Sequence, residues 1–314
     1  MKIFVTGGNG YKGSILIPKL LDLGYEVTSF DSNWFGNYLE DHVNLNCIKG
    51  DMRNIEKISL EGFDVVIHLA NVANDPAVDL NPSMSWEINV LAGHQLIEKA
   101  KMAKVKQFIF ASSGSVYGIK VEEKVTEDLS LVPISTYNQT KMIAERVFRS
   151  YEEYMKVHLI RPATVCGLSP RMRLDVAVNL LTFQALTQKK ITVLGGNQIR
   201  PNIHIEDICD VYIHFIRGRD LIESGFFNAG FENISISDMA KLIQKKTNCE
   251  IEFQYSNDPR SYRQDSTKLL NTGFSPKKNI SFAIDELILA FNEGKLDNKD
   301  EYHTVSWMKR KNIK

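Results

Sequence analysis

Tyr137 and Lys141 stand four residues apart in STYNQTK, a spacing that lays both side chains on one face of a helix. An ammonium held there lowers the phenol's pKa from its ordinary value of about 10 and readies it as a general base near working pH. A YxxxK pair by itself also arises as a surface Tyr beside a solvated Lys. Ser113 raises the pair above that reading. It follows the apolar run QFIFA, so as a strand this run presents the serine hydroxyl at its carboxyl end, where it shares the substrate's hydrogen bond. The three side chains meet only if the surrounding chain builds a parallel sheet.

The chain predicts such a sheet. Short apolar runs (KIFVTG, EVTSFD, VNLNCIKG, DVVIHLA, QFIFASS) alternate with segments of helical period, the signature of right-handed βαβ units and a doubly wound α/β fold. Residues 1–165 read as a Rossmann-type domain. Residues 166–202, where the regular pattern fades, and 231–314 read as a smaller C-terminal substrate lobe, with 203–230 returning to the main sheet. Helices are expected near 82–102, 136–153, 235–246 and 280–294.

KIFVT runs into Gly7-Gly8-Asn9-Gly10-Tyr11-Lys12-Gly13, where a helix begins. Glycines at 7, 10 and 13 allow a tight turn, close approach of a pyrophosphate and close helix packing, and the helix N-terminus offers free N–H groups to the anion. Asp31 ends the second strand 18 residues after Gly13, placed to accept both ribose hydroxyls of NAD. Its carboxylate repels a 2′-phosphate, and no Arg or Lys follows in SNWFGN, so NAD is favoured over NADP. Asp51 and Met52 after the third strand are read as facing adenine, and Ala70, Asn71 and Val72 after the fourth as lining the carboxyl edge.

Composition excludes other classes. Lys plus Arg and Asp plus Glu both total 38, so no general field argues for nucleic acid or an anionic membrane. No run approaches the roughly 20 apolar residues of a membrane span, and no secretory signal opens the chain, which reads as cytoplasmic. Cys47, Cys166, Cys209 and Cys249 lack metal or disulfide spacing and are expected to be reduced core thiols; the scattered histidines imply no metal. A nucleoside diphosphate needs cations, and Arg171, Arg173, Arg200, Arg260 and Arg263 are the candidates.

TGGNGYKG, Asp31, HLAN, ASSGSVYG, YNQTK, RPATVCG and RPNIHIEDI, in that order, resemble the extended short-chain dehydrogenase superfamily of nucleotide-sugar epimerases, dehydratases and reductases. The resemblance implies that Ser113, Tyr137 and Lys141 are catalytic. It also implies that Lys141 holds the nicotinamide ribose and that Tyr137 exchanges a proton with a sugar hydroxyl while hydride passes to or from the nicotinamide. By the same resemblance Tyr11 and Pro162 line the cofactor, Ser115 and Thr164 the substrate, and Arg200 and Arg260 are the leading phosphate ligands; Lys12, beside the pyrophosphate loop, is read from its position as an added cationic contact to the cofactor. SPRMRLD is similar to a stretch of bacterial nucleotide-heptose dehydrogenases.

Three departures stand out. Gly114 and Ser115 occupy the positions where 4,6-dehydratases carry an acidic pair or Ser-Glu, which disfavours dehydration. Lys12 replaces an aliphatic residue, and Thr164 replaces an Asn common in the family. The leading reading is therefore an NAD-dependent nucleotide-sugar epimerase, most consistent with C4, in surface polysaccharide biosynthesis. A net C4 dehydrogenase or ketoreductase is the close alternative, and a non-catalytic dinucleotide sensor the distant one. The family implies a homodimer through the helices near 82–102 and 136–153.

Overall fold

The structure, a computed structural model, describes residues 1–256 and 261–313. Its strands in chain order are β1 (Lys2–Thr6), β2 (Glu26–Asp31), β3 (Leu45–Lys49), β4 (Val65–His68), β5 (Gln107–Ala111), β6 (Lys156–Pro162), β7 (Thr164–Cys166), β8 (Lys190–Leu194), β9 (Ile199–His204), β10 (Gly225–Ala229), β11 (Glu232–Ser235) and β12 (Glu250–Gln254). Seven of them form one parallel sheet in the order β3-β2-β1-β4-β5-β6-β10. Strand order reverses between β1 and β4, which opens a crevice at their carboxyl ends.

Alternation along the central strands explains why the sheet is covered on both faces. Ile3, Val5, Val65, Ile67, Ile109 and Ala111 join one core with helices Gly13–Asp22 and Ile205–Arg217. Phe4, Val66, Phe108 and Phe110 point the other way, into a core closed by helices Ala92–Met102 and Thr136–Arg149. The period of two puts neighbours on opposite faces, so continuous apolar runs are what a sheet buried on both sides requires.

A smaller body adds the sheets β11-β9-β7 and β12-β8 and a third core. Helices Ala177–Gln188, Ile236–Thr247 and Ile280–Asn292 pack there around Ile191 and Val193. Two details differ from the sequence expectations. The segment where the pattern seemed to fade holds helix Ala177–Gln188, which buries Val178, Asn179, Leu181, Thr182, Phe183, Ala185 and Leu186, and so shows no polar face to mark a helical period. Cys47 is exposed because β3 is an edge strand, whereas Cys166, Cys209 and Cys249 are buried thiols. Among the described residues no helix is long and apolar enough to cross a membrane.

Candidate active site

A cleft of about 460 Å³ opens at the carboxyl ends of β1, β4 and β5, between the main sheet and the smaller body. Its floor is the glycine loop. Gly7 has φ +77°, and a Cβ there would stand 2.7 Å from the Ala70 nitrogen; at Gly13 a Cβ would stand 2.3 Å from the Gly7 carbonyl oxygen. Helix Gly13–Asp22 is thereby held close against the turn, leaving a backbone cradle suited to a pyrophosphate. Asp31 closes the far end. Its two carboxylate oxygens accept from the Asn9 and Asn33 amides at 2.9 and 2.7 Å. Burial raises its pKa against those two bonds. The loop is further pinned by Asn9, whose side chain donates to Asn33 and accepts from the Tyr38 amide.

At the near end, Ser112, Ser113 and Ser115 follow β5, and Ser135 caps the helix that carries Tyr137 and Lys141, accepting from the Asn138 amide and donating to Asp75. Ser113 Oγ and Ser115 Oγ are 2.7 Å apart, and Ser115 donates to Asn138 at 2.6 Å, so a short chain of bonds orients the Ser113 hydroxyl. Lys141 Nζ donates to the Ala111 carbonyl oxygen at 2.6 Å and lies 4.6 Å from the Phe110 ring centroid. Burial drives the Lys141 pKa well down.

The expected lowering of the Tyr137 phenol by Lys141 is not found. Burial pushes that phenol up to about 12, opposed by Ser113 and by the charge of Arg173. The physical reason is direction: the ammonium bonds the end of β5 and lies 5.9 Å from the Tyr137 ring centroid.

Beneath these residues runs a buried ion pair that sequence reasoning missed. Arg161 on β6 donates to both oxygens of Glu145 at 2.9 and 2.8 Å, Ser112 donates to Glu145 at 2.6 Å, and Arg161 also donates to Tyr117. Glu145 is one turn beyond Lys141, so Arg161 ties the helix Thr136–Arg149 to β6 while Ser112 ties it to the end of β5 beside Ser113. A charge inside the apolar run KVHLIRP was the available signal. Asn89, also missed, accepts from the Val72 amide at 2.8 Å and donates to Val72 and Thr140. It sits in a π-helical stretch, Glu87–Leu91, that interrupts the helix expected near 82–102. No sequence signal announces that stretch.

Gly7, Gly10, Tyr11, Lys12, Gly13, Asp31, Asp51, Met52, Ala70, Asn71, Val72 and Pro162 all line the cleft, as do Ser115, Thr164, Arg171, Arg173 and Arg200. Four of these residues are engaged elsewhere, three through their side chains and Val72 through its backbone. Tyr11 donates to the Gly167 carbonyl at 2.6 Å and is tied to Asn179, so it staples the two bodies, and only its backbone is left for an anion. Asp51 is bound at both oxygens by Arg53. Val72 is buried with its amide spent on Asn89. Arg171, expected at the substrate diphosphate, lies at the opposite end: it stacks 4.1 Å from the Phe35 ring centroid, donates to Thr304 and places its charge near Asp31.

Arg173 stays inside the cleft, paired with Asp175 at 2.8 Å. Arg260 lies outside the described residues. Arg263 does not line the cleft.

These residues fit a dinucleotide. The cradle admits no side chain at Gly13, the Asn71 Oδ1 atom is buried without a partner, and among the described residues neither Lys12 Nζ nor Lys141 Nζ has a carboxylate within ion-pair distance. Burial disfavours the charge on both nitrogens, and an anionic occupant would restore it.

Comparison with known proteins agrees with this geometry. The model of the NAD dependent epimerase/dehydratase family matches residues 3–230. An uncharacterized UDP-glucose epimerase of Bacillus subtilis is 33% identical over 263 residues, 78% of this chain and 81% of the relative. The structure of a UDP-glucose 4-epimerase from Thermotoga maritima, solved with UDP-glucose, superposes with a TM-score of 0.83 at 26% identity, covering 94% of this chain and 99% of that one. MoeE5, solved with UDP-glucuronic acid and NAD, gives 0.83 at 25%, covering 94% and 100%. Matched by that family model over residues 3–230, with a glycine cradle, Asp31 at the end of β2 and a Ser-Tyr-Lys cluster on a doubly wound sheet, this chain belongs to the NAD-dependent epimerase/dehydratase family.

Proposed function

We propose that this protein is an NAD-dependent epimerase of a nucleoside-diphosphate sugar, acting at C4 through a keto-sugar, and that it serves surface polysaccharide synthesis. The observation that carries the reading is the gathering of Ser113, Tyr137 and Lys141 across the cleft from the glycine cradle. NAD, when bound, supplies a two-electron acceptor that returns what it takes. Gly7, Gly10, Gly13 and Asp31 would hold it, and Asn71 offers an acceptor beside it.

The chain's own part is proton handling and positioning. The Tyr137 phenolate takes the proton of the sugar's C4 hydroxyl as the C4 hydrogen leaves, and gives it back after the ketone has turned its other face. Ser113 holds the same oxygen, and the Ser112–Glu145 bond ties the helix carrying Tyr137 to the strand end carrying Ser113. Arg173, with its charge already acting on Tyr137, both favours the phenolate and attracts the diphosphate end of the substrate.

The test is to denature the purified protein, identify the released cofactor, and incubate intact protein with UDP-glucose and with UDP-glucuronic acid. Epimerisation gives the C4-inverted sugar without added cofactor and without net nicotinamide reduction. One reduced nicotinamide per sugar oxidised would instead make it a dehydrogenase. Absence of bound NAD together with no conversion would remove the proposal.

A further inference from the structure

Lys12 is a cationic cleft residue to which the proposed reaction gives no task. It opens helix Gly13–Asp22, and its carbonyl oxygen accepts from the Cys209 thiol at 3.5 Å. Its Nζ reaches the Tyr212 hydroxyl at 3.4 Å, and Tyr212 is near enough to Tyr137 for the charge of the Tyr137 phenol to bear on it. The charge of Lys12 also bears on Lys141, whereas the cation that bears on Asp31 is Arg171. Lys12 therefore belongs to the Tyr137 end of the cleft.

A dinucleotide with its ribose on Asp31 must bring its reacting ring to that end, because hydride transfer needs the ring within contact distance of the sugar carbon that Tyr137 serves. The oxidised ring carries a positive charge and the reduced ring carries none. A fixed cation nearby penalises only the oxidised form.

We infer that Lys12 shifts the redox balance of the bound cofactor toward the reduced ring, holding the keto-sugar state long enough for the ketone to turn over. The inference rests on the NAD reading above. In the step concerned, the C4–H bond of the sugar breaks and its electron pair leaves with the hydrogen for the ring; the hydroxyl proton goes to Tyr137, and C4 becomes a carbonyl. The sugar is oxidised and the cofactor reduced. The ring's charge is cancelled in the same step, which is why a neighbouring ammonium favours it.

The groups facing Lys12 from neighbouring elements are Lys141, Arg173, Cys209 and Tyr212. Burial brings the Lys12 ammonium down to about 8, so the cation is present below that pH and fades above it. The experiment equilibrates the full-length holoprotein with a reference redox couple and reads the reduced fraction of bound cofactor at the nicotinamide band.

Lys12→Ile should lower the reduced-to-oxidised ratio at fixed ambient potential by about tenfold, while Lys12→Arg keeps it. From pH 7 to 9 the parental ratio should fall toward that of Lys12→Ile, with the variant's own pH response subtracting the contribution of Lys141. An unchanged ratio with NAD released more readily would make Lys12 a pyrophosphate contact and overturn the inference, leaving the epimerase reading intact. A parent that holds no nicotinamide cofactor at all would overturn both.

Discussion

The two walls of the cleft are made of different material. The dinucleotide wall is built from backbone: a glycine turn, a helix start, and Asp31 fixed by two amides. The opposing wall is built from side chains on loops and on the small sheet, among them Arg173, Asp175, Arg200 and Tyr262. Backbone recognition reads a phosphate and a ribose that every NAD shares. Side chains can be exchanged without touching the fold, and on the proposed function this is the wall that would choose the substrate. Ser113, Tyr137 and Lys141 stand at the seam and belong to neither wall.

If that division holds, a change at Tyr137 or Ser113 should remove turnover and leave both kinds of binding. Tyr137→Phe keeps the ring and deletes the oxygen that carries the proton; kcat should fall by about 10²–10⁴ with NAD affinity unchanged within about twofold. Ser113→Ala should cost less, since a hydrogen bond rather than the base is lost. Turnover and cofactor titrations on the two variants check the order, and a Tyr137→Phe protein with near-parental kcat would mean another group is the base.

Changes to one wall should spare the other. Arg173→Met removes a guanidinium and is expected to raise KM for the nucleotide sugar about 10–100-fold. It should also lower kcat to a lesser degree, because Tyr137 loses a charge that favours its phenolate. NAD affinity should stay put. Asp31→Asn is the converse, weakening NAD by about tenfold with little effect on KM. Both variants shifting both ligands would show that the walls are one coupled surface.

The smallest effect concerns the sheet under the dinucleotide wall. His68 hydrogen-bonds Thr6 Oγ1 at 2.7 Å among Phe108, Phe110 and Phe148, and burial lowers its pKa to about 3. His158 is lowered to about 4 for the same reason. Between these values and the unfolded histidine range near 6.5 the unfolded chain binds more protons than the folded one, so stability is lost as pH falls through this window. Carboxylates with lowered pKa values begin to act only nearer pH 4. Moving from pH 7 to 5.5 should therefore cost about 1 kcal/mol per histidine. Urea midpoints at the two pH values measure it, and equal midpoints would place both rings in contact with water.

Much of the chemistry was legible because it is local. The glycine turn, Asp31 at a strand end and the four-residue step from Tyr137 to Lys141 are consequences of spacing along one element, and spacing is what a sequence states. The alternating runs KIFVT, VVIH and QFIFA likewise declared a sheet buried on both faces. The helix Ala177–Gln188 was hidden, since burial all round erases the contrast that betrays a helix.

What required the tertiary structure were the directions of long side chains and the partners they found. Tyr11 reaches Gly167, 156 residues away; Arg161 finds Glu145 beneath the catalytic helix; Arg171 turns toward Phe35 and Thr304 instead of the substrate. The ionisation of Tyr137 followed the same rule. Its residue type and neighbour suggested a lowered pKa, but burial and the orientation of Lys141 decide it, and both are properties of packing between elements that no periodicity records.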